Sequence, residues 1–594
     1  MAMATGSKRG QKQQPKYGSD VIVELMKAFD IEYAAFNPGA TFRGIHDSIL
    51  NYGDNKKPEV IFCCHEEHSV AIAHGYAKAT GKPMAAITHN IVGLQHASMA
   101  IFNAWCDRVP VIVLGGTGPM DTTRRRPRID WQHTALVQGN LVRDYVKWDD
   151  QPFSIKSVPD SFIRGYRIAT TEPKAPVYIC YDADIQEEEI KETIQIPNVK
   201  SFAPLSPLQA SLESLQRAAQ LLVKAKAPII ITDYLGRDPR AVSALVELAE
   251  LLAIPVIDQG YRFNFPNTHP LDITNGSKEY LQKADVVLAL DVQDLYGSLV
   301  QVNRTTRICE YVTKPNAHII HISLNDMLIH SWAGDYHALQ AVDIPICADT
   351  SIALPELTHI CRNLLKKESS AKKAIASRFQ TIKKHHDTLR KKWVLSAQQQ
   401  NTETISIAFL ANELWSVIKN EDWVLVSRDV KNWARKIWDW TQPYQYLGGS
   451  GGGGVGYGLS AAIGAALAYR GSEKVCVDIQ SDGDLLMTAS ALYTAAHHKI
   501  PLLIVMHNNQ SFYNSEDHTI KIAKFRSRPV EKAGIGNRVD NPPVDFKKVA
   551  EGFGVYAAGP IRKAEDLRPA IEKALAVVKN QKLPALVDVI SEPR

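Results

Sequence analysis

Nowhere in the 594 residues does an apolar run approach the eighteen or so needed to cross a bilayer as a helix, so no membrane partner is expected. The opening stretch, MAMATGSKRGQKQQPK, is basic and polar and lacks the apolar core of a secretory signal. It reads as a disordered tail over residues 1–16, on a chain expected in the cytoplasm. No CxxC pair occurs. Cys63, Cys64, Cys106, Cys180, Cys309, Cys347, Cys361 and Cys476 are scattered, mostly through apolar stretches, which argues against a zinc site or a disulfide frame and fits reduced thiols. Net charge is small, +5, and unevenly spread. Between 362 and 392, eleven Lys or Arg face only Glu368 and Asp387. Aromatic residues do not interleave with these charges as stacking platforms would, so this segment reads as an exposed helical connector and no nucleic-acid partner is expected.

What is present is apolar strand alternating with helix, over a length that exceeds a single core. From 17 onward come a helix (SDVIVELMKAFD), a strand (YAAF), the turn Asn37-Pro38-Gly39-Ala40, a strand (VIFCC), a helix opened by His65 and Glu66, the strand MAAIT ending at His89, a helix, and VIVLGG. A second alternation holds APIIITD, VSALVELAELLA, IPVID, ADVVLALD and NAHIIHISL. A third starts with IAFLANELWSVI and WVLVS. Strands followed by crossover helices predict parallel sheets. The expected fold is α/β, with three consecutive parallel-sheet domains at 17–185, 203–362 and 401–594 and a basic helical linker over 363–400.

The densest stretch is 475–512, VCVDIQSDGDLLMTASALYTAAHHKIPLLIVMHNNQSF. It predicts a βαβ unit whose helix runs from about 485 to 498, and it brings Asp482 and Asn509 to the carboxyl edge of one sheet, where α/β proteins bind ligands. A carboxylate, an amide oxygen and the backbone carbonyl of Ser511 are hard oxygen donors suited to Mg2+, with positions left for phosphate oxygens. Gly483 opens a helix amino terminus that favours the same anion. Upstream, LGGSGGGGVGYGLS satisfies GxGxxG at Gly451, Gly453 and Gly456. No convincing strand leads into it, and Asp478 lies inside a strand, so a dinucleotide-dependent oxidoreductase is disfavoured.

Asp482-Gly483, followed 27 residues after the Asp by the second residue of Asn508-Asn509, resembles the signature of thiamine-diphosphate-dependent 2-oxo acid decarboxylases and carboligases, here acetolactate synthase-like with features of benzoylformate decarboxylase. The resemblance covers about 17–594. It implies thiamine diphosphate (ThDP) and Mg2+ as cofactors, with Asp482, Asn509 and the Ser511 carbonyl on the metal and Gly39, Gly453, Val455, Asp482, Gly483 and Asn509 on the cofactor. The three domains become pyrimidine-binding, central and diphosphate-binding. Glu66, nine residues before the Gly75 of a Gly-Tyr-Ala run, matches the acid that exchanges a proton with the aminopyrimidine ring. Burial beside VIFCC predicts a raised pKa for it. HNIVGLQHASMAIFNAW matches the benzoylformate decarboxylase type, which marks His89 as a substrate acid and base. His133 is a further catalytic candidate, while His96 reads as a helix-face residue. His65, His68 and His74 lack HExxH metal spacing.

There are departures. Ser481 precedes the Asp where the family usually has Gly, Val455 is small for the residue that bends the cofactor, and Ala40 stands where benzoylformate decarboxylase has a substrate-contacting Ser. Asp294 or Tyr296 falls where that enzyme supplies a second His. No Gly-rich fingerprint follows any strand of the central domain, so FAD is disfavoured and a structural central domain is expected. The implied activity is decarboxylation of a 2-oxo acid, with or without ligation to an acceptor, in a homodimer or homotetramer. An acyl-coenzyme A lyase or decarboxylase of the same superfamily and a non-catalytic interaction protein of the same fold are the alternatives. The polar segment 513–541 reads as a candidate lid.

Overall fold

The computed structural model describes residues 14–327, 338–400, 402–427, 429 and 431–593. The first thirteen residues of the expected tail lie outside them. Lys16 does not hang free: its carbonyl accepts from Ile190 N–H at 2.8 Å and its N–H donates to Asp20 Oδ2 at 2.8 Å.

Three parallel sheets follow one another along the chain. The first orders its strands β2-β1-β3-β4-β6-β5, with β1 Tyr33–Phe36, β2 Glu59–Phe62, β3 Met84–Thr88, β4 Val111–Thr117, β5 Trp148–Asp150 and β6 Val177–Asp182. In the second, the order is β13-β12-β9-β7-β8, with β7 Pro228–Thr232, β8 Val256–Asp258, β9 Val286–Leu290, β12 His318–Ser323 and β13 Ile344–Cys347. A short antiparallel pair, β10 Val300–Val302 with β11 Cys309–Tyr311, stands beside it. The third is β14-β15-β16-β18-β17, with β14 Trp423–Leu425, β15 Val475–Ser481, β16 Leu503–Asn508, β17 Tyr556–Ile561 and β18 Ala585–Ile590. Inner strands such as β3 and β4 are buried along their whole length, which is why they read as unbroken apolar runs rather than alternating ones.

Two helices weld the first sheet to the third. The Glu66–Thr80 helix starts at an N-cap His65 whose ring accepts from Glu67 N–H, and it stops at Gly81, left-handed at φ 71°. It crosses the Gly458–Ala468 helix backbone against backbone. A methyl added to Gly75 would sit 1.9 Å from the Ala461 carbonyl oxygen, and one added to Gly464 would sit 1.9 Å from that of Ile72. Both glycines are therefore required for this close approach.

A buried charge knot ties in the central sheet. Lys78 Nζ donates to Asp107 Oδ2 at 2.8 Å and to the carbonyls of Gly448 (3.2 Å) and Gly449 (2.7 Å). Arg262, from the segment after β8, donates to the Leu447 carbonyl at 2.8 Å. Burial alone would raise the Asp107 carboxyl, but Lys78, Arg262 and His74 hold it well below the usual range.

The basic connector is the helix Ser369–Ala397, preceded by Thr350–Leu365. Arg378 docks it by donating to the carbonyls of Ala253 and Leu252, at the end of the Pro239–Leu252 helix. The predicted 485–498 helix forms instead as two pieces, Asp482–Thr488 and Ala491–His497. The break falls at Ala489 and Ser490.

Candidate active site

Glu66 is the first residue of its helix, just past the end of β2, and is only 4% exposed. Asn37, in the turn after β1, donates to Oε1 at 3.1 Å, and His96 Nδ1 lies 3.1 Å from Oε2. Burial pushes the carboxyl up, but these two partners pull harder, so its pKa falls below the ordinary glutamate value. This corrects the raised value expected from burial beside an apolar strand. A neighbouring strand end and the Asn90–Cys106 helix supply polar side chains that the strand itself does not reveal.

His89 caps the Asn90–Cys106 helix at the end of β3. Its Nδ1 lies 3.0 Å from Thr41 Oγ1, and its ring meets that of His133 edge-on at 5.7 Å. Burial, with His133 adding to it, lowers its pKa, so the ring is neutral at pH 7. The structure thus brings His89 and His133 together beside Glu66. Gly39 belongs to the same corner: a methyl there would lie 2.5 Å from His89 Cβ. Asn90, buried at φ 23°, is a strained backbone position within this corner.

His96 was expected on a helix face, and it belongs to the site. His89, Gly93 and His96 sit at i, i+4 and i+7 of one helix, and a methyl on Gly93 would be 3.0 Å from Glu66 Oε1. That spacing was the available signal. Asn37 had none, since its contact with Glu66 depends on the pairing of β1 with β2. Of the three early histidines, His74 joins the Asp107 knot, its Nε2 3.0 Å from Oδ2, and only His65 reaches the Glu66 corner, stacking on His96. Asp294 caps the Leu295–Leu299 helix by accepting from Gly297 N–H, and Tyr296 packs on Tyr311.

At the third sheet, β15 and β16 are parallel neighbours, so Asp482 and Asn509 leave the same edge. Both Asp482 Oδ2 (3.1 Å) and Asn509 Oδ1 (3.0 Å) accept from the single N–H of Ser511, which places the two oxygens side by side. Gln510, left-handed at φ 55°, makes the turn that allows this. Asp482 Oδ1 is buried and has no hydrogen-bond partner among the described residues. Burial raises this carboxyl to about 6, against the pull of the Gly483 and Ser511 backbone N–H groups. A methyl on Gly483 would lie 2.8 Å from the Phe512 ring, which would have to shift to admit it. Ser511 is itself held by Glu516, whose Oε2 accepts from its Oγ at 2.6 Å. A buried carboxylate oxygen without a partner, an adjacent amide oxygen and a glycine cradle are what a divalent cation and a pyrophosphate require, so these residues fit the cofactor that the sequence implies.

The glycine loop joins the two halves. Gly453 (φ 68°) and Gly456 (φ 94°) adopt left-handed angles. Asp484, absent from the sequence-based set, accepts from the N–H groups of Gly456 and Gly458 and ties the loop to the Asp482 turn. On its other side the loop abuts the first sheet's helices: a methyl on Gly454 would strike Met99, and one on Gly456 would lie 3.7 Å from Glu67 Oε1. Between loop and strand is a cavity of about 150 Å³ that includes Gly453, Val455, Gln480 and Asp484 in its wall. A larger one, about 670 Å³, lies at the β5 and β6 edge and contains none of the site residues. Asp478 is buried within β15, out of reach of any ribose.

Residues 16–140 match the N-terminal TPP binding domain of thiamine pyrophosphate enzymes, 215–357 their central domain and 429–589 their C-terminal TPP binding domain. The chain belongs to the thiamine pyrophosphate enzymes. It is 26% identical to acetolactate synthase 2, chloroplastic, of Nicotiana tabacum, over 97% of this chain and 82% of that one. It is 24% identical to the acetolactate synthase large subunit of Buchnera aphidicola, over 96% and 94% of the two chains. In fold it is similar to a thiamine diphosphate-dependent 4-hydroxybenzoylformate decarboxylase of Rhodococcus jostii RHA1, with a TM-score of 0.73 and 20% identity over 97% and 99% of the two chains. A thiamin diphosphate-dependent enzyme from Mycobacterium smegmatis superposes with a TM-score of 0.74 at 20% identity, over 98% and 100%.

Proposed function

We propose that the chain is a Mg2+-dependent ThDP enzyme that decarboxylates a small 2-oxo acid and releases an aldehyde or transfers the remaining fragment to an acceptor. The observation that carries this reading is the convergence of Asp482 and Asn509 on one N–H, with a further carboxylate oxygen buried and unpaired. In this reading Asp482, Asn509 and the Ser511 carbonyl hold the metal, and Gly39, Gly453, Val455 and Gly483 shape the cofactor's bed. When bound, the cofactor supplies the nucleophilic carbon; the protein binds, orients and moves protons. Glu66 exchanges a proton through Oε1 or Oε2, with Asn37 fixing its plane. His89, neutral at pH 7, accepts a proton at a ring nitrogen, with His133 beside it as a second carrier.

The alternative of an acyl-coenzyme A enzyme asks for a nucleotide pocket at the carboxyl edge of the central sheet. That edge is filled by the protein's own side chains: Arg237 donates to Asp291 at 2.6 Å, and Thr350 donates to the same carboxylate. These pairs argue for a structural role of the central domain. We also propose that the working unit is a dimer or larger. Val455 is 46% exposed, and Leu486, Met487 and Tyr493 on the two helices after β15 are 40–57% exposed, an apolar surface that a second copy would cover.

The test is carbon dioxide release by purified protein with ThDP and Mg2+, across pyruvate, 2-oxobutyrate and branched and aromatic 2-oxo acids, with and without an aldehyde acceptor. Release that depends on both cofactors supports the reading. No release from any of these acids overturns it.

A further inference from the structure

We propose that Asp484 is a built-in anion for the glycine loop: its carboxylate takes N–H groups that a phosphate would otherwise seek, so that an incoming pyrophosphate depends on a divalent cation. The proposal rests on the metal and pyrophosphate reading given to Asp482 and Asn509 above and adds a positioning residue to it. Gly456 and Gly458 lie at the amino end of the Gly458–Ala468 helix, where backbone N–H groups have no partner within the helix and its dipole favours negative charge. Such ends bind phosphate readily. In this chain a side chain already occupies the place. Gly456 N–H donates to Asp484 Oδ1, and Gly458 N–H donates to Oδ2 at 3.2 Å. Gln480 Nε2 adds a third bond, to Oδ2 at 2.8 Å. The loop is cut to receive this pair: a methyl on Gly458 would lie 2.7 Å from Asp484 Oδ2 and 2.5 Å from Gln480 Oε1.

Asp482 and Asp484 belong to the first turn of one helix and differ in what they lack. Asp482 presents a buried Oδ1 with no partner among the described residues, whereas both oxygens of Asp484 are bonded. The three donors on Asp484 are neutral, so they orient its charge without cancelling it. Of the described residues lining the cavity of about 150 Å³ beside it, none is a Lys or Arg. A pyrophosphate entering there brings negative charge to a wall that already carries some, and it finds no side-chain cation to offset the repulsion. A divalent ion on Asp482 and Asn509 supplies that offset. Asp484 thus disfavours binding without metal while it holds Gly456 in its left-handed turn, φ 94°.

The experiment titrates full-length protein, freed of bound cofactor, with inorganic pyrophosphate and with ThDP, in Mg2+ and in EDTA, by calorimetry. Wild type, Asp484→Ser and Asp484→Asn are compared. Wild type should bind both ligands in Mg2+ and far more weakly in EDTA. Asp484→Ser frees both N–H groups and removes the charge, so its affinity for pyrophosphate in EDTA should rise about tenfold or more. Asp484→Asn keeps the size and an acceptor oxygen without the charge and should fall between the two; it carries the test alone if Asp484→Ser does not fold. Disorder of the loop would weaken binding in both conditions and so does not imitate the expected rise. Affinity in EDTA that stays within twofold of wild type in the variants, or drops, overturns the role of Asp484, as does wild type that binds pyrophosphate equally well in EDTA. If wild type binds neither ligand even with Mg2+, the reading of Asp482 and Asn509 falls first, and Asp484 with it.

Discussion

Glu66 and Asp482 are both buried acids at the carboxyl ends of strands, yet their surroundings push them in opposite directions. Glu66 has a neutral amide on one oxygen and an imidazole on the other, and these outweigh burial. Asp482 has only backbone N–H groups to set against its burial. The first arrangement suits a group that passes protons, the second a group awaiting a cation. Replacing Glu66 by Gln should leave cofactor binding intact and lower turnover at least tenfold, a loss of about 1.4 kcal/mol or more in transition-state stabilisation, read by steady-state kinetics beside a ThDP titration. Changing Asp482 to Ala should abolish the Mg2+ dependence of ThDP affinity, as calorimetric titration with and without the metal would show. The Asp482, Asn509 and Glu66 positions were legible in the sequence because strand ends and turn residues leave a pattern. Asn37, His96 and Asp484 were not, because what defines each is a partner brought near by the fold, such as the pairing of β1 with β2 or the return of the glycine loop to the Asp482 turn.

At the scale of elements, the most demanding packing is between the Glu66–Thr80 and Gly458–Ala468 helices. Gly75→Ala puts a methyl 1.9 Å from a carbonyl oxygen, so the helices must separate. About 1–3 kcal/mol of stability should be lost, measured by urea unfolding at unchanged m. The sequence showed Gly75 only as part of a Gly-Tyr-Ala run; its partner lies in another domain. Strand β15 carries a different burden. Asp478 is fully buried there, and burial raises its carboxyl to about 7, above the ordinary value of 3.8. The folded state then binds a proton that the unfolded state has already released, so this group's contribution to stability is whole below pH 3.8 and is lost as pH rises through 7. Asp478→Asn should flatten that decline, and thermal melts at pH 5 and pH 8 would show whether it does. Strand existence and parallel order were readable from apolar runs and crossover lengths. The break within 485–498 was not, since Ala489 and Ser490, where it falls, look like any other helical residues.

For the whole molecule, the knot of Lys78, Asp107 and Arg262 matters most, because residues from all three sheet regions meet in it. Lys78→Met leaves Asp107 buried with one cation fewer and frees the carbonyls of Gly448 and Gly449. A loss of about 3–5 kcal/mol is expected, measured by denaturant unfolding, because removing one partner strands the other's charge. None of this was visible beforehand: nothing in the sequence around Lys78 points to partners that lie 29 and 371 residues away. The three-domain plan was visible, since each alternation of strand and helix announces its own sheet.

The glycine crossing has a consequence for how a ligand is received. With no room for even a methyl between the two backbones, any sliding or parting of the first and third regions gives up this contact. The relative placement of the first and third regions is therefore set as the polypeptide collapses, and whatever assembles on them meets a rigid block.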